Sequence, residues 1–175
     1  MDIIKTQPLK RLSLYYEPLH VQGEIKKVIY ALEFRSETLK ELTFKHLDFQ
    51  DIDLSLMSKL DRLERLELIN CRQYLFTKKL HLKKLTLCYN FDDYDYNYDE
   101  LKITGAIIDL LLSEELCMLD FRDIVTLEAV KAIRETCTNL KYLQISIYSE
   151  SSILSICELS SLKILKIEHQ FWSLF

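Results

Sequence analysis

LERLELINC (63–71) and LKKLTLCYN (82–90) share one frame: leucine at the first, fourth and sixth positions, and Cys71 or Asn90 at the ninth. The central L-x-L alternates with period two, the pattern of a strand with one buried face. Working outward, the L-x-x-L-x-L frame returns at Leu9/Leu12/Leu14, Leu39/Leu42/Phe44, Leu116/Leu119/Phe121, Leu140/Leu143/Ile145 and Leu162/Leu165/Ile167. Together with Leu63/Leu66/Leu68 and Leu82/Leu85/Leu87 these make seven copies, their first positions 19 to 34 residues apart. No single copy encloses its own apolar face, so the copies are expected to stack and share one core.

The stretches between copies carry helical spacing. Ile25, Val28, Ile29 and Leu32 fall on one helix face. Leu54, Met57 and Leu60 repeat every three residues, and Leu101, Ile108 and Leu112 form a stripe flanked by Ile107 and Leu111. Thr126 suits an N-cap ahead of inward-facing Leu127, Val130, Ile133 and Cys137, and Ile153, Ile156 and Cys157 begin a shorter helix. The 19-residue step from Leu63 to Leu82 leaves room only for an extended or one-turn connection. Composition agrees with a packed array: 33 Leu and 17 Ile among 175 residues, against two Gly and two Pro, exclude a disordered or linker-like chain. The competing reading is a Leu-rich helical bundle, because short apolar runs are ambiguous.

The frame and its spacing resemble leucine-rich repeats, whose units run roughly 20–29 residues. The expected fold is α/β, a single leucine-rich-repeat solenoid over residues 1–175 with about seven repeats. A curved parallel sheet would line the concave face, with strands near 11–15, 41–45, 65–69, 84–88, 118–122, 142–146 and 164–168, and irregular helices on the convex face. ETCTNLKYLQIS (135–146), with Cys137, Leu140, Leu143 and Ile145, resembles the C-x-x-L-x-x-L-x-L of the cysteine-containing subclass. TLKELTFKHLDF (38–49) and SKLDRLERLELINC (58–71) resemble the degenerate repeats of fungal F-box/leucine-rich-repeat proteins. That resemblance implies a non-catalytic protein–protein interaction module, the substrate-recognition part of a ubiquitin-ligase receptor. Since the first copy begins at Leu9, the F-box is expected to be absent, with the link to a cullin-ligase adaptor missing or supplied elsewhere. A regulator of a catalytic partner, in the manner of leucine-rich-repeat GTPase activators, and a generic scaffold are the alternatives.

A protein or peptide ligand is expected on the concave face, at the strand residues that alternate with the leucines. Arg11, Tyr15, Lys45, Arg65, Glu67, Lys84, Arg122 and Tyr142 are the candidates. Arg11, Lys45, Arg65, Lys84 and Arg122 would form a basic stripe for an acidic or phosphorylated segment. The same residues also suit an ordinary solvated sheet face. The least ordinary segment is YNFDDYDYNYDE (89–100), a candidate binding insertion in which Tyr89, Phe91, Asp92, Tyr94, Tyr96 and Tyr98 would supply contact area and steering. Asp92, Asp93, Asp95 and Asp99 lack the Gly and terminal Glu of an EF-hand, so no Ca²⁺ site is expected.

Signals of chemistry are sparse, and no cofactor or metal is expected. With only Gly23 and Gly105 neither phosphate-binding glycine motif fits, and His20, His46, His81 and His169 stand apart from one another. The five cysteines form no C-x-x-C pair. Cys88 falls on the concave face, and Cys71, Cys117, Cys137 and Cys157 read as core or turn fillers. A net charge of −4 disfavours general nucleic-acid binding. MDIIKTQPLK shows no secretory leader, and the longest apolar run, 106–112, contains Asp109 and is too short for a membrane span. A cytoplasmic or nuclear location is expected. Phe171, Trp172, Leu174 and Phe175 are expected either to fold over the last repeat or to dock a partner or a second copy, the latter giving end-to-end self-association.

Overall fold

In RLELI, Leu66 and Leu68 are buried while Arg65, Glu67 and Ile69 are half-exposed, as a strand with one covered face requires. The computed structural model describes residues 7–15, 22–49, 52, 54–72, 76, 78–88, 110–124, 126–146 and 150–168. Seven strands run through it: β1 (Arg11–Tyr15), β2 (Glu41–Lys45), β3 (Arg65–Ile69), β4 (Lys84–Cys88), β5 (Met118–Ile124), β6 (Tyr142–Ser146) and β7 (Ile164–Glu168). They form one parallel sheet in sequence order. The fold is therefore α/β, with helices in the connections. β5 runs two residues past its expected end at 122, and its pairing with β6 shifts register between Phe121 and Ile124.

Register repeats from strand to strand. Leu12, Leu42, Leu66, Leu85, Leu119, Leu143 and Leu165 pair in one row, two residues ahead of a second row from Leu14 and Phe44 to Ile167. A backbone bond pattern holds it. The carbonyl before β1, of Lys10, accepts from both Lys40 and Glu41 N–H groups at 2.8 and 3.1 Å. The carbonyls of Lys40, Glu64, Lys83, Cys117 and Lys141 do the same for the strand that follows each. At the other end of β2 and β3 the chain turns through positive φ at His46 and Asn70, 56° and 51°. Asparagine tolerates that region better than most side chains. Beyond the turn, Asp48 and Arg72 form a further parallel bridge.

The connections differ from one another. Helix α1 (Gln22–Ala31) buries Ile25 and Ile29 and runs into a 3₁₀ turn, Leu32–Arg35, with Leu32 buried and Val28 half-buried. Leu54–Lys59 is a 3₁₀ helix, which suits the three-residue spacing of Leu54, Met57 and Leu60 better than an α-helix would. No helix appears among the described residues between β3 and β4. Of the stripe from Leu101 to Leu112, residues 101–109 lie outside the described residues, while Leu111 and Leu112 are buried. Helix α2 (Leu127–Thr136) opens on Thr126, whose hydroxyl accepts from Ala129 N at 3.2 Å, and it buries Val130 and Ile133. Leu127 is only half-buried. Helix α3 (Glu150–Cys157) buries Ile156 but leaves Cys157 exposed, against its expected role as a filler.

One continuous apolar cluster lies between the sheet and these connections, from Ile25 to Leu159. Phe44 and Phe49 meet edge to face within it, centroids 5.3 Å apart. The expected packing of the C-terminal aromatics, 171–175, lies outside the described residues. The Thr126 cap can be tested on its own: Thr126→Ala should cost about 1 kcal/mol in urea denaturation, whereas Thr126→Ser should cost little.

Candidate functional site

Because alternate strand residues point to opposite faces, the strand residues of the expected site fall on the side of the sheet away from the core. Arg11 and Tyr15 on β1, Lys45 on β2, Arg65 and Glu67 on β3, Lys84 on β4, Arg122 on β5 and Tyr142 on β6 all occupy that face. Tyr15, Arg11 and Lys84 are the exposed members; the others are half-buried. The second half of the expected site, Tyr89, Phe91, Asp92, Tyr94, Tyr96 and Tyr98, lies outside the described residues, as do Asp93, Asp95 and Asp99.

Geometry changes the electrostatics of the expected basic stripe. Arg65 Nε donates to Glu67 Oε1 at 2.9 Å, and Thr43 Oγ1 donates to Glu67 Oε2 at 2.9 Å. Arg122 makes a two-point contact with Asp120, Nε to Oδ1 at 2.9 Å and Nη2 to Oδ2 at 2.8 Å. That hydrogen-bonded carboxylate raises the arginine pKa further above its usual value, so its charge is permanent. Arg11 lies 3.1 Å from Glu41 on the neighbouring strand. Three of the five stripe cations therefore already hold carboxylates, while Lys45 and Lys84 form no ion pair among the described residues. The face presents alternating paired charges rather than a uniform positive band.

Its β5–β7 end is a polar network. Tyr142 OH donates to Gln144 Oε1 at 2.6 Å, and Gln144 Nε2 donates to Glu168 Oε1 at 2.6 Å. Lys166 Nζ sits 5.6 Å from the centre of the Tyr142 ring, within cation–π range. Thr86, Asp120 and Gln144 are buried although they face away from the core. Asp120, Gln144 and Glu168 matter here because they decide which cations and hydroxyls stay free. The Asp-x-Arg and Arg-x-Glu spacings were the signal for two of these contacts, since residues i and i+2 share a strand face.

The cysteines divide by burial. Cys71 Sγ donates to Phe44 O at 3.4 Å, and burial pushes its thiol up to about 11. Burial pushes Cys137 up to about 12. Both folded values exceed the usual 9.0, so the neutral thiols contribute stability that is complete below pH 9 and lost as pH rises through 11 to 12. Cys88 and Cys117 are half-buried. At neutral pH a soluble alkylating reagent should modify exposed Cys157 in the folded protein and leave Cys71 and Cys137 intact until denaturant is added. Peptide mass spectrometry reads the difference.

A cleft of about 140 Å³ beside the strand entries is lined by Met57, Ser58, Leu60, Asp61, Lys79 and His81, among others. It is well below the roughly 300–1,000 Å³ of small-molecule sites, so the sheet face is the better candidate. Among the described residues no three His, Cys, Asp or Glu side chains gather as metal ligands, and no helix is long and apolar enough to cross a membrane. Comparison with models of known protein families, with characterised proteins and with solved structures found no match.

Proposed function

We propose that this chain is a non-catalytic recognition module of the leucine-rich-repeat type, binding a protein or peptide across the sheet face that carries Arg11, Tyr15, Lys45, Arg65, Glu67, Lys84, Arg122 and Tyr142. The observation that supports it is the pairing of seven parallel strands in sequence order, in register except past Phe121 between β5 and β6, which aligns their polar positions into rows. Such rows suit an extended ligand, which crosses several strands and meets a hydrogen-bonding side chain at each. Tyr15, with 62% of its surface exposed, and Lys84, which forms no ion pair among the described residues, are the contacts with most to gain from a partner.

The resemblance of residues 137–145 to cysteine-containing repeats supports a narrower reading, the substrate-holding part of an F-box-like ubiquitin-ligase receptor acting inside the cell. The test is affinity capture from the native cell type with intact protein and with the Tyr15→Ala/Lys84→Glu variant. A partner retained by the first and lost by the second, together with a cullin-ligase adaptor, is the expected result. Identical capture by both proteins would overturn the assignment of the face. Capture that depends on the face but never includes an adaptor would remove the ligase reading and leave the recognition role.

A further inference from the structure

The positions just before each strand form a surface of their own. The backbone carbonyls before β1 to β6 are the double acceptors that set the register, and the residue before β7 donates to the last of them, so these positions stack strand by strand along one rim of the sheet. Five of the seven are lysine: Lys10, Lys40, Lys83, Lys141 and Lys163. All five are exposed. The remaining two are Glu64 and Cys117. The rim therefore carries a net charge of +4 at seven positions, in a chain whose total is −4.

Folding does not require those side chains. The register bonds use only main-chain atoms, and Glu64 and Cys117 make them as well as the lysines do. Glu64 lies between Lys40 and Lys83, 3.7 and 3.3 Å from their ammonium groups. Its hydrogen bond to Lys83 and the charges of both lysines hold its carboxyl below the usual range. One carboxylate is thus shared by two cations, and the triad keeps a net positive charge. Adjacent strands stand about 4.8 Å apart, so each lysine has its next neighbour one or two steps away, within about 10 Å. At physiological salt the Debye length is about 8 Å, and the five fields overlap.

We propose that this lysine rim docks an acidic, extended polypeptide segment of a separate partner protein, at a surface distinct from the sheet face. Six strand steps span about 29 Å, the length of about nine extended residues. Compact ammonium groups suit single carboxylates, whereas phosphate recognition favours the two-point fork of arginine. The seven rim positions carry no aromatic side chain on which bases could stack, which favours a polypeptide over a single-stranded nucleic acid.

The test uses the full chain and a fluorescein-labelled oligo-glutamate peptide of about nine residues, with a thymidine oligonucleotide of matching length as the competing probe. Anisotropy at low ionic strength should show peptide binding that weakens as salt rises. Lys40→Ala/Lys83→Ala and Lys141→Ala/Lys163→Ala should each weaken it about tenfold, the effect of losing two surface charge contacts, while Lys131→Ala, at an exposed position on helix α2, should leave it unchanged. These lysines are exposed, so the variants should keep the parent melting profile. The proposal is overturned by an absence of peptide binding at low salt, by binding that ignores both rim variants, or by tighter binding of the oligonucleotide. Self-association that disappears in the rim variants would overturn it in favour of a second copy of this chain. Peptide binding lost only on Lys84→Glu would assign the ligand to the sheet face and leave the rim without one.

Discussion

Phe44→Ala is expected to destabilise the protein by about 3–5 kcal/mol, measured by urea denaturation. Phe44 is fully buried, packs edge to face on Phe49 and shares its carbonyl with the Cys71 thiol. Removing the ring leaves a cavity walled by neighbouring repeats, which cannot collapse without disturbing the register between strands. Leu165→Ala is the built-in comparison. Leu165 occupies an inward row on β7 yet is 38% exposed, so its loss should cost well under half as much. Equal costs at the two positions would contradict a stack in which each copy is covered by its neighbours, because burial would then not depend on place in the array.

Arg122→Met is the second large effect, expected at about 1–3 kcal/mol. Its partner Asp120 has a side chain only 7% exposed and accepts both guanidinium bonds, so the substitution strands a poorly hydrated carboxylate. Arg122 itself is 41% exposed, and water reaching the vacated space keeps the cost below that of a fully buried pair. Adding Asp120→Asn to Arg122→Met should recover at least about half of the loss, and the double-mutant cycle reads the coupling. An unchanged denaturation midpoint for Arg122→Met would show that water serves Asp120 as well as the arginine does. The pairing also bears on recognition: an arginine committed to Asp120 offers a partner only its remaining N–H groups.

Much of this architecture is local information. Leu66 and Leu68 alternate with polar neighbours, and Thr126 stands three residues before the amide it caps, so both features are legible in short windows. The helix at Leu54–Lys59 was visible as apolar spacing but not as a helix type, since residues three apart share a face in an α-helix as well, even though they align best in the 3₁₀ form. The extension of β5 to Ile124 was not visible, because it depends on how β6 pairs with a shifted register. The lysine rim was present in the residues but lay just outside the alternating core positions that define a strand. It becomes a surface only once the backbone bonds stack those residues.

By itself the sequence determined where the strands lie and which of their side chains are inward, because periods of two and of about 3.6 residues are properties of neighbouring residues. The charge character of the sheet face was decided only by tertiary structure. Arg11 meets Glu41, Thr43 meets Glu67 and Gln144 meets Glu168 across 24 to 30 positions of chain, and no local pattern sets those encounters. Strand register does: a slip by one residue would move every such partner to the opposite face, and the buried leucine rows forbid the slip.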